Sequence, residues 1–332
     1  MKKSIILFAS ILSLGGMTFI NAQSKPAEYK IANKFQVPGE GGWDYIACDE
    51  SSGKLYISHG IVMQVIDAKD GKMLGTVPGT KGIHGIALAK DLNKGYTSNG
   101  KDSSVTVFNL KTLAVLSKID VTGQNPDAIL YDPFTHYVFT FNGRSTNATV
   151  IDAKTDKVIE TISLDGKPEF PVTDGKGKIY VNIEDKSTIC QINAKTLIVE
   201  QTWPLAPGKE PSGLAIDVEN GRLFSVCDNK LMMIMDAASG TVISSVPIGT
   251  HPDAAAFDPG TKRAYSSNGE GNITVVQEEK GGYIFNVIET VPTQKGARTM
   301  TIDTRNHHLY LPVAEDRKKP GSFVVLDVAP VK

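Results

Sequence analysis

Blocks of basic residues, paired cysteines and an attachment site for haem are missing from this 332-residue sequence. Its 35 basic residues nearly balance 36 acidic ones and form no long block, which disfavours nucleic acid or an anionic membrane surface as a partner. The three cysteines, Cys48, Cys190 and Cys227, are widely spaced and odd in number, so they do not indicate a disulfide framework. No C-x-x-C-H segment is present, so we expect no c-type haem.

Motifs for nucleophilic, zinc-peptidase and nucleotide chemistry are also missing. The sequence has no G-x-S-x-G, H-E-x-x-H or G-x-x-x-x-G-K-[ST] segment, and no G-x-G-x-x-G after a strand. We therefore expect no nucleotide cofactor. The residues alone leave open whether the protein is an enzyme.

The first 22 residues have the pattern of a secretory signal peptide. Lys2 and Lys3 precede an apolar run, Ser4–Ile20, and the small pair Asn21–Ala22 offers a cleavage site. The run is short for a membrane span, and no cysteine at the cleavage site could receive a lipid. We predict removal of residues 1–22, no stable membrane insertion afterwards, a periplasmic or secreted location, and a single domain over residues 23–332.

One unit repeats seven times along the chain, at intervals of 40 to 45 residues. One copy begins P-D-A-I-L-Y-D-P from Pro126 to Pro133, and another begins P-D-A-A-A-F-D-P from Pro252 to Pro259. Each copy continues through a hairpin and further short apolar strands. Repeats of this length with four short strands are typical of β-propellers. We predict an all-β, seven-bladed β-propeller with four antiparallel strands in each blade.

The seventh unit lacks a fourth strand, and the segment before the first unit resembles one. Tyr29–Val37 reads Y-K-I-A-N-K-F-Q-V and matches the fourth-strand pattern V-I-S-S-V-P-I-G of Val242–Gly249. We predict that Tyr29–Val37 pairs with Phe323–Asp327 and completes the last blade. Such closure removes the exposed strand edges of an open array.

Five segments carry a more specific pattern: Y-T-S-N-G at Tyr96–Gly100, V-F-T-F-N-G at Val138–Gly143, V-I-D-A-K-T at Val150–Thr155, Y-V-N at Tyr180–Asn182 and Y-S-S-N-G at Tyr265–Gly269. Through them, residues 29–328 resemble the YVTN-type repeat of the YncE-like family of exported seven-bladed propellers. A G-H…W-D signature, which would indicate a WD40 propeller, is missing. The resemblance implies the propeller fold and export. It implies no particular reaction, because proteins of this group differ in activity.

A single residue occupies the position before the innermost strand of each unit: Asp44, His84, Asp127, Glu169, Ser212, Asp253 and Arg298. Because the strands of a blade alternate in direction, these positions share one end of the channel with the hairpins between strands two and three. Polar groups that converge at a channel end favour a binding site. The predicted ligand-binding residues are Trp43, Asp44, His59, His84, Asn99, Asp127, Asn142, Glu169, Asp253, Asn268 and Arg298.

His84, Asp127 and Glu169 are the candidates with the most specific chemistry. A histidine with two carboxylates can ligate a divalent metal such as Zn, Mn or Fe, or can act as an acid–base set. The side chains could instead cap the starts of strands. Arg298 forms either an internal ion pair or an anchor for an anion. Tyr45, beside Asp44, either stacks on a ligand or packs between blades.

Three functions are compatible with this sequence. The first is an exported propeller that binds a small ligand, a divalent metal or another exported protein at its polar face. The second is a lactonase-like hydrolase or lyase that uses His84, Asp127 and Glu169, by analogy of fold alone. The third is a scaffold subunit of a periplasmic redox complex, as in the propeller heavy chains of amine dehydrogenases, without a cofactor of its own.

Overall fold

The computed structural model describes residues 28–39, 42–279, 281–314 and 323–331. Within these residues the chain forms seven antiparallel sheets of four strands each, which confirms the predicted seven-bladed β-propeller. The described part of the chain contains only two short helical turns, Lys90–Leu92 and Glu184–Lys186, and no helix that could cross a membrane. The predicted signal peptide, residues 1–22, lies outside the described residues and stays a prediction.

Each blade begins with a strand next to the channel and continues outward in chain order. The strands of blades 1 to 3 are β2 (Trp43–Asp49), β3 (Lys54–His59), β4 (Val62–Asp67), β5 (Met73–Val77); β6 (Ile83–Ala89), β7 (Lys94–Asn99), β8 (Ser104–Asn109), β9 (Val115–Asp120); β10 (Pro126–Asp132), β11 (Tyr137–Asn142), β12 (Asn147–Asp152), β13 (Lys157–Ser163). Those of blades 4 and 5 are β14 (Pro168–Thr173), β15 (Lys178–Ile183), β16 (Thr188–Asn193), β17 (Ile198–Pro204); β18 (Pro211–Asp217), β19 (Arg222–Cys227), β20 (Leu231–Asp236), β21 (Val242–Pro247). Those of blades 6 and 7 are β22 (Pro252–Asp258), β23 (Arg263–Asn268), β24 (Asn272–Glu278), β25 (Phe285–Pro292); β26 (Thr301–Asp303), β27 (His308–Ala314), β28 (Phe323–Pro330) and, from the start of the chain, β1 (Tyr29–Val37).

The inner strands form a closed ring around the channel. Each one contacts the inner strands of the two neighbouring blades, and β26 of blade 7 contacts β2 of blade 1. The approach is close enough to restrict side-chain size. A Cβ atom on Gly213 would lie 2.6 Å from the backbone nitrogen of Ala255, and one on Gly85 would lie 2.9 Å from the carbonyl oxygen of Asp127. The small residues of the inner strands are therefore a steric requirement of the ring.

The hydrophobic core lies between the blades. Phe141 and Val150 of blade 3, for example, pack in one cluster with Val181 and Ile192 of blade 4. Because the middle strands are covered on both faces, their apolar residues form continuous runs without clean alternation. The core thus holds each blade against its neighbours and sets the radius of the channel.

Strand β1 completes blade 7, as the sequence predicts. It pairs antiparallel with β28 in a register that runs from Tyr29 opposite Pro330 to Val37 opposite Phe323. Its apolar side chains face inward: Phe35 packs with blade 1 and blade 7 residues, and the Tyr29 hydroxyl lies 2.7 Å from the hydroxyl of Tyr265 in blade 6. The first strand therefore joins the two ends of the chain through both hydrogen bonds and core packing.

We expect Phe35→Ala to lower the free energy of unfolding by about 3–5 kcal/mol, because it removes a buried aromatic ring from the closing strand. Lys34→Ala, at the neighbouring exposed position, should change it by less than about 0.5 kcal/mol. Denaturant unfolding followed by circular dichroism measures both. Equal stability of the two variants would contradict a role of β1 in closing the ring.

Candidate functional site

A polar cavity of about 560 Å³ lies at the channel end where the inner strands begin. We call it the mouth cavity. Its lining residues come from all seven blades: Asp44, Tyr45, His84, Asp127, Lys167, Glu169, Glu184, Glu210, Ser212, Asp228, His251, Pro252, Asp253 and Arg298. The seven equivalent residues therefore face one cavity, as the alternation of strand direction predicts, although six of them are the second residue of their inner strand and only Arg298 precedes its strand.

Negative charge dominates the mouth cavity. Seven carboxylates line it, against the two permanent cations Lys167 and Arg298, so its formal charge is −5 with both histidines neutral. Both cations are already paired. Arg298 Nη1 lies 2.7 Å from Asp253 Oδ2 and its Nη2 lies 3.7 Å from Asp44 Oδ1, which makes Arg298 an internal ion pair. An uncompensated negative charge therefore remains for a ligand.

His84 connects two of the carboxylates. Its Nδ1–H donates to Asp44 Oδ2 at 2.6 Å, and the same nitrogen lies 3.8 Å from Asp127 Oδ1. One nitrogen and two carboxylate oxygens of these three residues lie within 4.8 Å of one another, a spacing that could hold a metal ion. Replacement of the shared proton by a cation would leave the three ligand atoms facing the cavity.

Glu169 does not join this group, which corrects the predicted set of His84, Asp127 and Glu169. Lys167 Nζ lies 2.7 Å from Glu169 Oε1 and also binds Glu184. Lys167 and Glu169 are two residues apart in an extended segment, so their side chains point to the same side. Asp44 takes the place of Glu169 beside His84, because Asp44 and Asp127 come from the blades on either side of His84.

Burial raises the pKa of three carboxyl groups of the mouth cavity. The pKa of Asp127 rises to about 6, because burial and the nearby Asp44 outweigh the opposing effect of His84. Burial likewise raises the pKa of Glu169 and of Asp253 to about 7, against the effects of Lys167 and Arg298 respectively. The cavity therefore gains negative charge as the pH rises through neutrality.

The pKa of His84 is raised as well. Burial alone would lower it, but the hydrogen bond to Asp44 and the charge of Asp127 more than compensate. The imidazolium is thus the cation that the unliganded site stabilises. A metal ion would compete with this proton.

Tyr45 and Phe170 meet across the channel below the mouth cavity. Their ring centroids are 5.5 Å apart at an interplanar angle of 48°. We call the positions of Asp44, His84, Asp127, Glu169, Ser212, Asp253 and Arg298 the mouth positions. The residue after the mouth position is Gly85, Ala128, Gly213, Ala254 or Thr299 in the other five blades, so at this position only blades 1 and 4, on opposite sides of the ring, carry an aromatic residue. We call this pair the aromatic partition. The sequence leaves open whether Tyr45 packs between blades or stacks on a ligand, and it does not predict the contact of Tyr45 with Phe170 across the channel.

A second cavity of about 330 Å³ lies beyond the partition, along the deeper parts of the inner strands. We call it the lower chamber. Tyr45 and Phe170 form its wall toward the mouth, and its other lining residues are almost all apolar, including Ala128, Val172 and Met300. The two ends of the channel thus differ sharply in polarity.

Asn99, Asn142 and Asn268, predicted as ligand-binding residues, are fully buried inside their blades instead. Each side-chain amide donates to the hairpin and the strand that follow: Asn99 to Ser104 and Thr106, Asn142 to Asn147 and Thr149, and Asn268 to Asn272 and Thr274. Repetition of the same contacts in three blades identifies a structural role. The polar hairpins do lie at the mouth end, but their asparagines do not line the cavity.

His59 is also buried, with 2% of its surface exposed, and does not line the mouth cavity. Its Nδ1 lies 2.6 Å from Gln64 Oε1, and its ring stacks on Phe323 at 4.5 Å. Trp43 packs against the same Phe323 at 5.7 Å. Trp43 also lines an adjoining pocket that shares Arg298 with the mouth cavity, so it stays at the rim of the site.

Comparison with known proteins identifies the fold and nothing finer. The sequence matches no family model and no curated protein. Among solved structures, the WD40 repeats of RRP9 match with a TM-score of 0.80 at 8% identity, over 92% of this chain and 99% of that one. A chain of the mitotic checkpoint complex matches with a TM-score of 0.77 at 11% identity, over 99% of both chains. Hydrazine synthase of Kuenenia stuttgartiensis matches with a TM-score of 0.72 at 16% identity, over 83% of this chain and 94% of that one. At such low identities the likeness establishes the β-propeller fold alone.

We expect the metal-free protein to be more stable at pH 6 than at pH 8. A carboxyl group whose pKa is raised by folding binds extra protons in the folded state, so its contribution is lost as the pH rises through the folded pKa. Asp127, Glu169 and Asp253 act in this direction between pH 4 and 7, and His84, whose pKa is raised from its ordinary value of 6.5, acts in the same direction as the pH rises above 6.5. Thermal unfolding at the two pH values measures the difference.

Asp127→Asn should raise the free energy of unfolding at pH 8 by on the order of 1–2 kcal/mol, because it removes a charge that is buried and is repelled by Asp44. Asp102 is the control with the opposite sign, since hydrogen bonds from Lys118 and Ser104 outweigh its burial and lower its pKa. Asp102→Asn should therefore lower the stability at pH 8. A loss of stability in both variants would contradict the electrostatic cost assigned to the mouth cavity.

Asn142→Ala should lower the free energy of unfolding by about 2–3 kcal/mol, because it leaves buried partners in the hairpin without their hydrogen bonds. Asn286→Ala, at an exposed position of blade 6, should change it by less than about 0.5 kcal/mol. Denaturant unfolding compares the two. If Asn142→Ala left stability unchanged but weakened the binding of a cation at the mouth, the structural role assigned to Asn142 would be wrong.

Proposed function

We propose that this protein is a binding protein whose mouth cavity takes a cationic ligand. One observation carries the proposal: seven carboxylates from different blades converge on one cavity, while its two permanent cations are both engaged in ion pairs. The folded chain bears the cost of holding these acids together, which the raised pKa values of Asp127, Glu169 and Asp253 express. A bound cation would offset that cost.

A divalent metal ion at Asp44, His84 and Asp127 is the most specific form of this function. The three side chains offer one imidazole nitrogen and carboxylate oxygens, a donor set that suits Zn or Mn. They line an open cavity, so further coordination positions would face solvent or a second ligand. Glu169, held by Lys167, would stay outside the coordination sphere.

Export and membership of the YncE-like group are part of the same proposal. They are supported by the signal-peptide pattern of residues 1–22 and by the Y-S-S-N-G-type hairpins. An exported protein of this kind would meet its cation outside the cytoplasm. A basic segment of another exported protein is a second candidate ligand, favoured by the acidic mouth and by the occurrence of a similar propeller in the mitotic checkpoint complex.

The enzymatic alternative has less support. It assigns acid–base roles to His84, Asp127 and Glu169, but Glu169 is engaged by Lys167 and lies outside the group that His84 and Asp127 form with Asp44. The alternative of a redox scaffold has no specific residue in its favour. Binding therefore remains the function that the geometry of the mouth supports best.

Titration of the metal-free protein with ZnCl₂ tests the metal site. We expect one ion to bind per chain, and His84→Ala to weaken the affinity at least tenfold, because it removes the nitrogen ligand. The affinity should also fall at least tenfold between pH 7.5 and 5.5, since protons then compete at His84 and Asp127. Isothermal titration calorimetry gives the stoichiometry and both affinities.

His251→Ala is the matched control. His251 lines the same cavity but is 81% exposed on the side chain and lies 3.9 Å from Asp228. This variant should keep the zinc affinity of the unmodified protein within about twofold, because His251 contributes no ligand atom to the group. Equal affinities of the His84→Ala and His251→Ala variants would exclude the proposed site.

A further inference from the structure

The channel joins an acidic cavity to an apolar one across a single layer of side chains. Tyr45 lines both cavities, and Phe170 packs against it from the opposite side of the ring. Four carboxylates near the Tyr45 hydroxyl, those of Asp44, Asp127, Glu169 and Asp253, surround the axis on the mouth side. A ligand on the axis would therefore meet negative charge, then aromatic rings, then hydrocarbon.

The lower chamber has the chemistry of a pocket for an apolar group. Among the residues described there, Ala215, Ala256, Val172 and Met300 are typical of its lining, and none is charged. Cys48 is its thiol-bearing residue, and burial raises the pKa of that thiol to about 12, so the thiol stays neutral. A chamber of about 330 Å³ with such walls falls within the size range of ligand pockets.

The aromatic partition is held by packing alone. Within the described part of the chain, no hydrogen bond fixes the hydroxyl of Tyr45, and its ring contact is the tilted one with Phe170. The Tyr45 side chain borders both the mouth cavity and the lower chamber, so open space lies on either side of it along the channel. Rotation of the Tyr45 side chain therefore breaks no polar contact.

We propose that the channel binds an organic ammonium ion with an apolar substituent, with the ammonium group among the carboxylates of the mouth cavity and the substituent in the lower chamber beyond Tyr45 and Phe170. The proposal rests on the cation-binding role of the mouth and names the class of ligand. The ammonium group gains from the carboxylates and from the faces of the two aromatic rings. Each methylene group of the substituent that is buried in the lower chamber raises the affinity of the ligand about fourfold.

Other ligand classes fit the channel less well. An anion with the same tail would be repelled by the carboxylates. A neutral apolar molecule could fill the lower chamber but would leave the charge of the mouth uncompensated. A small cation would occupy the mouth and leave the lower chamber without a role.

Calorimetric titration with n-butylammonium chloride, n-octylammonium chloride and sodium octanoate, all below micelle-forming concentrations, tests the proposal. We expect octylammonium to bind with one molecule per chain and at least tenfold more tightly than butylammonium, because only the longer chain reaches well into the lower chamber. Octanoate should not bind. An affinity independent of chain length would overturn the proposal.

Val172→Phe fills part of the lower chamber without touching the mouth cavity. It should abolish the preference for octylammonium over butylammonium while leaving the affinities for butylammonium and Zn²⁺ within about twofold. The control is Val115→Phe on the exposed strand β9, which should keep the full preference. Should Val172→Phe fail to fold, Thr301→Phe at another position of the chamber wall makes the same test. If a folded Val172→Phe or Thr301→Phe variant still preferred octylammonium over butylammonium, the apolar substituent would not bind in the lower chamber.

The outcomes separate this inference from the proposed function. Binding of Zn²⁺ and of both ammonium ions with equal affinity for the two chain lengths would leave the acidic mouth as a cation site and remove the role of the lower chamber. Binding of no cation at all would remove both. Asp127→Asn should weaken both ammonium ions by a similar factor of about threefold to tenfold, since it acts on the shared head-group site.

Discussion

The antiparallel pairing of β1 with β28 is the interaction on which the geometry of the site depends. It holds blade 7 against blade 1 and so brings together residues that are some 255 positions apart in the chain. Thr299 Oγ1 donates to the carbonyl oxygen of Asp44 at 2.5 Å, and Arg298 reaches the Asp44 carboxylate. Without the closing strand these contacts would have no fixed partner, and the mouth cavity would open between its first and last blades.

The same closed ring explains why the acidic mouth is costly. Inner strands that nearly touch hold seven carboxylates from five blades at a fixed radius, so the acids cannot move apart to relieve their repulsion. Elsewhere in the molecule carboxylates lower their energy by local contacts. Asp49 and Asp236, for example, accept hydrogen bonds from neighbouring serines, which outweigh their burial and lower their pKa. The acids of the mouth cavity thus lower the stability of the folded chain, whereas Asp49 and Asp236 are stabilised by their neighbours. Such a local loss of stability is typical of a binding site.

The sequence predicts the fold almost completely, because a repeat of fixed length specifies strand order, strand direction and the missing fourth strand at once. It also predicts that Asp44, His84, Asp127 and Glu169 share one end of the channel, since they occupy equivalent positions in their blades, but it selects Glu169 where the structure places Asp44 beside His84. It fails where the outcome depends on side-chain partners: Glu169 turns to Lys167, and Asn142 turns into its own blade. The recurrence of the asparagine in three hairpins was itself a signal of a structural role.

The aromatic partition was also visible in the sequence, as a departure from the repeat. Steric crowding requires small residues after the mouth position, and Gly85 and Gly213 show how little space the backbone leaves. Two bulky rings at that position can be accommodated only if they point along or across the axis, and Tyr45 and Phe170 do so from opposite blades. A third large ring would compete for the same volume. The propeller fold favours small residues at this position, so the fold itself does not explain Tyr45 and Phe170. Their place between an acidic cavity and an apolar one explains them better.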